Sequence, residues 1–208
     1  MTAADKVTSI RIILAPVFFI LYMLPAFNLP FGLFWVSLSP ESANFPRGFG
    51  WTVPVLWLIF VVSEISDLID GKLARSRNEV SDFGKFYDPF ADTLVQLTNF
   101  LCFVMDGILP VILLLIFLYR EFSVLFIRNL MLRKGVAMGA RMGGKIKTVV
   151  YIASCALALL AASFKRLGQN GAVFDWTRIA AIAFFSAGVV LAIVSFFDYA
   201  SVYRGAKK

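Results

Sequence analysis

Six long apolar stretches constrain the fold of this 208-residue chain more than any other feature of its sequence. A helix needs about 20 mostly apolar residues to cross the hydrocarbon core of a bilayer, and several of these stretches approach or exceed that length. The composition agrees, because 60% of the residues are hydrophobic and only 16% are charged. We therefore predict an all-α, polytopic membrane protein in which residues 1–208 form a single integral-membrane domain. The six transmembrane helices are expected at about residues 8–23, 53–70, 86–105, 109–132, 146–164 and 179–200.

Basic residues predict how these helices cross the membrane. If the N-terminus lies in the cytoplasm, most of the 20 Lys and Arg residues fall on cytoplasmic helix ends and loops. This bias predicts a multi-pass protein of the inner (cytoplasmic) membrane, with both termini in the cytoplasm and an extracytoplasmic loop at residues 24–52. The net charge of +7 would then meet the anionic lipid bilayer and anionic substrates. Because the basic residues are tied to membrane ends, we expect no nucleic acid among the partners.

Histidine is absent from the sequence, and there are only 2 Cys. Cys102 and Cys155 both fall within predicted transmembrane helices, where they are expected to pack as small apolar residues. The sequence gives no reason to predict a disulfide or a zinc site. Any general base must therefore be a carboxylate, a lysine, a tyrosine or a cysteine.

Four aspartates gather at the cytoplasmic ends of the second and third predicted helices. Asp67 and Asp70 stand three residues apart at the end of the second helix. The third helix carries Gly84, Asp88 and Asp92 at spacings of four residues. On a helix each set lies along one face, so two neighbouring helices would form an acidic cleft. Such carboxylates repel one another and need a counter-ion, and an all-oxygen ligand set favours a hard cation, Mg²⁺ or Mn²⁺.

Basic residues in the fourth predicted helix indicate an anion site. Arg120 lies well inside an apolar run, where a cation needs a partner. Either Arg120 pairs with Glu121 or another carboxylate, or it forms part of an anion pocket with Arg128. Because the chain also carries an acidic cleft suited to a metal ion, we favour the anion pocket. The glycine-spaced basic segment at residues 135–148 is typical of a phosphate-contacting loop but lacks the spacing of a P-loop, so a nucleotide-hydrolysing motor is not indicated.

Two further charged positions have simpler interpretations. Arg11 follows Thr8 by almost one turn near the start of the first helix. We expect its side chain to extend to the membrane interface, as long basic side chains at helix ends do. Asp106 lies beside Gly107 and Pro110 in a short turn between predicted helices, and is expected to be solvated.

The acidic motif resembles the signature of the CDP-alcohol phosphotransferase family (CDP-alcohol phosphatidyltransferases), D-x2-D-G-x2-A-R-x8-G-x3-D-x3-D. Every fixed position is matched, by Asp67, Asp70, Gly71, Ala74, Arg75, Gly84, Asp88 and Asp92. Within the family, the chain is most similar to the bacterial phosphatidylglycerophosphate synthases, through residues 82–92, 120–128 and 144–148 and through Thr8 and Arg11. The resemblance covers roughly residues 5–148. It implies six transmembrane helices with the active site at the cytoplasmic interface.

The resemblance also implies an Mg²⁺- or Mn²⁺-dependent enzyme of phospholipid biosynthesis. It would transfer a phosphatidyl group from CDP-diacylglycerol to sn-glycerol 3-phosphate, giving phosphatidylglycerophosphate and CMP. Asp88 and Asp92 would be catalytic, with Asp92 as the candidate base for the acceptor hydroxyl. Two divalent ions would be held by Asp67, Asp70, Asp88 and Asp92. The residues implied in CDP binding are Asp67, Asp70, Gly71, Ala74, Arg75 and Gly84. Those implied in binding the acceptor's phosphate are Thr8, Arg11, Arg120, Arg128, Arg141, Lys145 and Lys147. Family members are often dimers, so a homodimer is a further expectation.

Alternatives stay open both within and outside this family. Asp5 and Thr93 stand where the phosphatidylglycerophosphate synthases commonly have Asn and Lys. Another acceptor (inositol phosphate, serine or choline) is therefore an alternative, as is transfer from CDP-choline to diacylglycerol. An ion-coupled transporter is the alternative outside the family, since acids within membrane helices are typical of transporters. A transporter predicts acids spread through the bilayer and two repeated halves, whereas these acids cluster at one face and no repeat is visible.

Overall fold

The computed structural model of the protein describes residues 3–27, 50–77, 82–133, 142–169 and 171–205. These residues form six α-helices and no β-strand, in agreement with the predicted all-α fold. The helices are α1 (Ala3–Phe27), α2 (Thr52–Arg77), α3 (Asp82–Met105), α4 (Val111–Arg133), α5 (Met142–Arg166) and α6 (Ala172–Gly205). Most of them extend beyond the predicted boundaries, above all α6, because helical backbone hydrogen bonds continue past the end of an apolar run, whereas α4 begins two residues later than predicted.

Three of these helices are long and apolar enough to cross a membrane. The apolar segments are Val7–Leu24 in α1, Ile146–Arg166 in α5 and Ala172–Tyr199 in α6, with mean hydropathies of 2.1, 1.8 and 2.5. These segments indicate a membrane protein, while six transmembrane helices stay a prediction. Most of the predicted loop at residues 24–52 lies outside the described residues, although residues 24–27 belong to α1.

The helices pack in two groups that meet around α3. On one side, α1 packs against both α2 and α3. On the other, α5 and α6 form the most extensive helix pair, and α4 contacts α3 and α6. Small side chains let α5 and α6 approach closely, and those fully buried include Ala158, Ala161, Ala162 and Ala181.

An aromatic cluster joins α3, α4, α5 and α6 at the centre of the bundle. It consists of Phe100, Phe117, Tyr151 and Phe185, one from each helix and all fully buried. The rings of Phe100 and Phe185 stack with centroids 4.1 Å apart, and Tyr151 lies edge-on to Phe100 at 5.6 Å. Gly188 of α6 makes room for this arrangement, since a Cβ there would lie only 2.5 Å from the Tyr151 ring. The predicted burial of Cys102 and Cys155 among apolar residues is confirmed.

The turn between α3 and α4 buries a carboxylate that was predicted to be solvated. Asp106 is only 2% exposed. The Tyr22 hydroxyl donates to Asp106 Oδ2 at 2.7 Å, and Lys165 Nζ donates to Oδ1 at 2.6 Å. Arg166 donates to the Tyr22 carbonyl at 2.8 Å and to Thr52 Oγ1 at 2.9 Å. We call these five residues the Asp106 cluster.

The expectation of a solvated Asp106 is therefore wrong. Its turn folds beneath the ends of α1 and α5, and the donors that satisfy the carboxylate come from these distant segments. Burial raises the pKa of the Asp106 carboxyl, and the neighbouring Lys165 ammonium acts against that rise. The Asp106 cluster thus ties four helices together at the end of α3 opposite to its aspartates.

Candidate active site

Two carboxylates from different helices meet at one arginine. Arg11 Nη1 of α1 donates to Asp67 Oδ1 of α2 at 2.7 Å, and also to Asp92 Oδ1 of α3. Arg11 is 2% exposed, whereas the Asp67 and Asp92 side chains are each 40% exposed. The acidic ends of α2 and α3 therefore come together around a buried cation, as the spacing of the aspartates predicts.

Residues of α1 complete this acidic face. The expectation that Arg11 extends to the membrane interface is wrong, because the two carboxylates draw its guanidinium inward. Almost one turn earlier, Thr8 Oγ1 donates to Asp88 Oδ1 at 2.8 Å. Ser9 exchanges a further hydrogen bond with the Tyr87 hydroxyl at 3.0 Å. The two α1 residues predicted to bind the acceptor's phosphate thus contact the aspartates in this structure.

A cavity of about 250 Å³ adjoins Asp88 and Asp92. Its walls come from four helices, α3, α4, α5 and α6. Its basic and hydroxyl-bearing lining residues include Arg120, Arg128, Lys147, Thr148 and Tyr199. Three of the side chains predicted to bind the acceptor's phosphate therefore share one cavity with the two predicted catalytic acids.

Glu121 holds two of the cations that line the cavity. Glu121 Oε1 accepts from Arg120 Nη1 at 2.8 Å and from Lys147 Nζ at 2.6 Å, and all three side chains are buried. Arg120 also donates to the Ala192 carbonyl at 2.8 Å and to Ser195 Oγ at 2.5 Å. The pairing of Arg120 with Glu121, one of the two interpretations, is therefore present. Arg120 also lines the cavity, and its binding of an anion stays a prediction.

The third cation, Arg128, is held by α6. Arg128 Nη2 donates to the Tyr199 hydroxyl at 2.8 Å, and its guanidinium carbon lies 5.2 Å from the centroid of that ring. No role was predicted for Ser195 or Tyr199 of α6. Their spacing of four residues within an apolar run places two hydroxyl groups on one helix face, a signal that could have found them.

The cavity is therefore acidic on one side and basic on the other. The acidic side has two carboxylates, Asp88 and Asp92. The basic side has three cations and the Glu121 carboxylate, which leaves two positive charges there. An anionic ligand could meet the basic side while a cation balanced the aspartates.

The donors on the acidic side fit a hard divalent cation, since Asp67, Asp88 and Asp92 offer only oxygen atoms. Arg11 lies between Asp67 and Asp92 and supplies positive charge to both. Among the described residues, no group of three or more Asp, Glu, His or Cys side chains is close enough to hold a metal ion. The described part does not include the side chain of Asp70, the fourth predicted ligand. Metal binding therefore stays a prediction.

The sequence profile of the CDP-alcohol phosphatidyltransferase family matches residues 1–194. This chain belongs to that family. The match runs from α1 into the last third of α6, and so extends well past the stretch at residues 5–148 that carries the resemblance.

Several curated proteins are similar in sequence to this chain, and their names state an activity. A Treponema pallidum protein, "CDP-diacylglycerol--glycerol-3-phosphate 3-phosphatidyltransferase", is 35% identical over 206 residues, covering 98% of this chain and 89% of the relative. A Bacillus subtilis protein of the same name is 31% identical over 160 residues, covering 75% of each chain. A Streptomyces coelicolor "Cardiolipin synthase (CMP-forming)" is 33% identical over 143 residues, covering 68% of this chain and 64% of the relative.

Part of the CDP-alcohol phosphatidyltransferase signature lies beyond what the structure describes. Gly84 is buried in the first turn of α3. For five predicted site residues the structure describes the helix but not the surroundings of the side chain; these are Asp70, Gly71, Ala74, Arg75 and Lys145. A sixth, Arg141, lies outside the described residues. The roles predicted for them stay predictions.

Proposed function

We propose that this chain transfers the phosphatidyl group of CDP-diacylglycerol to sn-glycerol 3-phosphate, giving phosphatidylglycerophosphate and CMP in phospholipid biosynthesis. The observation that carries the proposal is the cavity that joins Asp88 and Asp92 of the family signature to Arg120, Arg128 and Lys147. A phosphorylated acceptor needs such cations, whereas serine and choline do not. The Treponema pallidum relative whose name states this activity is similar along almost the whole chain.

The acidic side of the cavity would bind the donor. Two divalent ions, Mg²⁺ or Mn²⁺, would be held by Asp67, Asp70, Asp88 and Asp92. When bound, such ions neutralise the diphosphate and stabilise charge on the departing CMP. Arg75 would contact the diphosphate oxygens through its planar fork. Space for the nucleotide would be left by Gly71, Ala74 and Gly84.

The basic side would bind and orient the acceptor. Asp92 takes the proton of the acceptor hydroxyl, whose oxygen attacks the phosphorus on the diacylglycerol side of the donor diphosphate. The bond from that phosphorus to the CMP oxygen breaks, and CMP leaves with the electron pair. Arg120, Arg128 and Lys147 hold the acceptor's phosphate so that its hydroxyl faces Asp92. Lys145 and Arg141 are further proposed contacts.

The proposed reaction places the cavity at the cytoplasmic interface of the inner membrane, with the acyl chains left in lipid. In this arrangement all six helices cross the bilayer as one domain, both termini face the cytoplasm, and two copies form a homodimer. The apolar segments of α1, α5 and α6 support insertion in a membrane. Reporter fusions after each helix would test the orientation, and cross-linking in native membranes would test the dimer.

Purified protein in lipid nanodiscs tests the reaction. With CDP-diacylglycerol and labelled sn-glycerol 3-phosphate, we expect CMP release and a labelled lipid that co-migrates with phosphatidylglycerophosphate. EDTA should stop the release, and added Mg²⁺ or Mn²⁺ should restore it. Asp88→Asn and Asp92→Asn should abolish turnover, whereas Asp198→Asn, a change at an exposed α6 residue, should not. Substantial turnover in either of the first two variants would overturn the proposed roles.

A panel of acceptors tests the choice of substrate. It includes inositol phosphate, serine and choline, and also phosphatidylglycerol, because one relative is named as a cardiolipin synthase. An assay with CDP-choline and diacylglycerol tests the alternative in which the headgroup is on the donor and the lipid is the acceptor. We expect sn-glycerol 3-phosphate to give the highest kcat/KM. A faster reaction with any other acceptor would replace the proposed product while leaving the family assignment intact.

A further inference from the structure

One face of α6 holds both arginines that α4 presents to the cavity. The Ala192 carbonyl and the Ser195 hydroxyl bind Arg120, and the Tyr199 hydroxyl binds Arg128. Positions 192, 195 and 199 follow the spacing of a single helix face. The cations of the cavity are therefore oriented by α6, although the signature motif lies on α2 and α3.

The two arginines differ in how much of their charge is already paired. Arg120 forms an ion pair with Glu121 at 2.8 Å. In the described part of the chain, Arg128 has no ion-pair partner, and its buried Nε has no hydrogen-bond partner. A buried charged donor without an acceptor is costly. Arg128 therefore brings to the cavity a positive charge that is not paired with any described carboxylate.

Tyr199 holds the Arg128 guanidinium through two contacts. Its hydroxyl accepts a hydrogen bond from Arg128 Nη2, and its ring lies beside the guanidinium. Tyr199 is only 2% exposed, so it has little freedom to move. A phenol that accepts one hydrogen bond still has its own proton to donate. Tyr199 also lies beyond residues 1–194, the part matched by the family profile, so the family match assigns it no role.

We propose that Tyr199 is a positioning residue that holds Arg128 in the cavity for the acceptor's phosphate. It thereby favours a phosphorylated acceptor over a neutral one. The inference rests on the proposed function for the identity of the acceptor, whereas the anion site itself follows from the contacts of Arg128.

Tyr199→Phe is the informative variant because it removes the hydroxyl and keeps the ring. We expect the KM for sn-glycerol 3-phosphate to rise about tenfold, as for the loss of one hydrogen bond to a charged group. The KM for CDP-diacylglycerol and kcat should stay within about twofold of the wild-type values. Tyr119→Phe is the matched control, since Tyr119 is 72% exposed on α4. Unchanged kinetics, or an equal rise in both KM values, would overturn the proposal.

A double-mutant cycle shows whether Tyr199 acts through Arg128. Affinity for inorganic phosphate and for sn-glycerol 3-phosphate is measured by calorimetry without donor, so that no turnover is needed. Tyr199→Phe should weaken binding about tenfold in the wild-type background and less than about twofold in the Arg128→Ala background. Arg128→Lys keeps the charge but loses the fork, and should by itself weaken binding about as much as Tyr199→Phe. Additive effects in the cycle, or full binding by Arg128→Lys, would contradict the proposal.

The binding measurement also separates this proposal from the proposed function. Phosphate binding that depends on Tyr199, in a protein that releases no CMP from CDP-diacylglycerol, would overturn the proposed function alone. CMP release by a wild-type protein whose phosphate affinity is unchanged by Tyr199→Phe would overturn the positioning role alone. Failure of the wild-type protein to bind either anion would overturn the anion site.

Discussion

Glu121 is the only described carboxylate that pairs with Arg120 and Lys147, and replacing it tests how the basic side of the cavity is held together. Glu121→Gln keeps the shape of the side chain and one acceptor oxygen, but removes the charge. Because all three side chains are buried, two cations would be left without their counter-charge in a region from which water is largely excluded.

The size of the effect follows from the geometry. One oxygen, Glu121 Oε1, accepts at 2.8 Å from Arg120 and at 2.6 Å from Lys147. Removing one partner of a buried ion pair costs about 3–5 kcal/mol. The glutamine oxygen still accepts a hydrogen bond, so we expect the lower end, about 3 kcal/mol. A chain of this length loses about 2–4 °C per kcal/mol, which gives a fall of about 6–12 °C in melting temperature.

Thermal unfolding followed by tryptophan fluorescence in detergent measures this fall. Combining Glu121→Gln with Lys147→Met should recover at least about half of the loss in melting temperature. Arg120 is then the one cation left beside the glutamine, and it keeps its hydrogen bonds to α6. Asp198→Asn is the matched control for removing one negative charge. A fall of less than about 2 °C for Glu121→Gln would refute the reasoning, as would a double variant less stable than the single one.

Three further changes test other parts of the structure. Gly188→Ala would place a methyl group 2.5 Å from the Tyr151 ring, and should cost about 1–3 kcal/mol of stability because the surrounding aromatic cluster cannot yield freely. Asp106→Ala should cost about 3 kcal/mol, because Lys165 loses its ion pair with a buried carboxylate. Arg11→Met should lower the melting temperature more in EDTA than in Mg²⁺, since the facing aspartates then depend on the metal for positive charge.

Each of these changes has an internal comparison. Gly171→Ala adds the same methyl group where nothing lies within 4 Å, and should leave the melting temperature unchanged. Asp198→Ala removes an exposed carboxylate and should have little effect. Equal losses at Gly188 and Gly171, or at Asp106 and Asp198, would contradict the structural reasons given. For Arg11→Met, equal losses with and without Mg²⁺ would do so.

Helical spacing predicts that the acidic ends of α2 and α3 meet, and this is confirmed for Asp67 and Asp92. Asp67 and Asp92 lie on the inward faces of neighbouring helices, and both contact one side chain. The partner, Arg11, was misjudged because apolar periodicity does not show which way a long side chain near a helix end will point. Its direction is set by carboxylates 56 and 81 residues away in the chain.

The polar contacts of α5 and α6 were also not predicted from the sequence. Arg120 could be paired with Glu121 by adjacency, but Lys147 reaches Glu121 only because α4 and α5 line the same cavity. Tyr199 lies in an apolar helix, where a hydroxyl group does not by itself indicate a binding role. Asp106 was misassigned for the same reason, since its partners come from helices that approach it only in the folded bundle.

The contacts of α1 have a consequence for how the protein is assembled as it is synthesised. This helix is synthesised before α2, α3 and α5, which supply partners of Arg11 and of the Tyr22 carbonyl. The partners of Arg11, Asp67 and Asp92, are synthesised later, and Arg166, which binds the Tyr22 carbonyl, follows Tyr22 by 144 residues. These contacts of α1 are therefore complete only after α5 has been synthesised, and until then its polar groups need the insertion machinery or water at the bilayer surface.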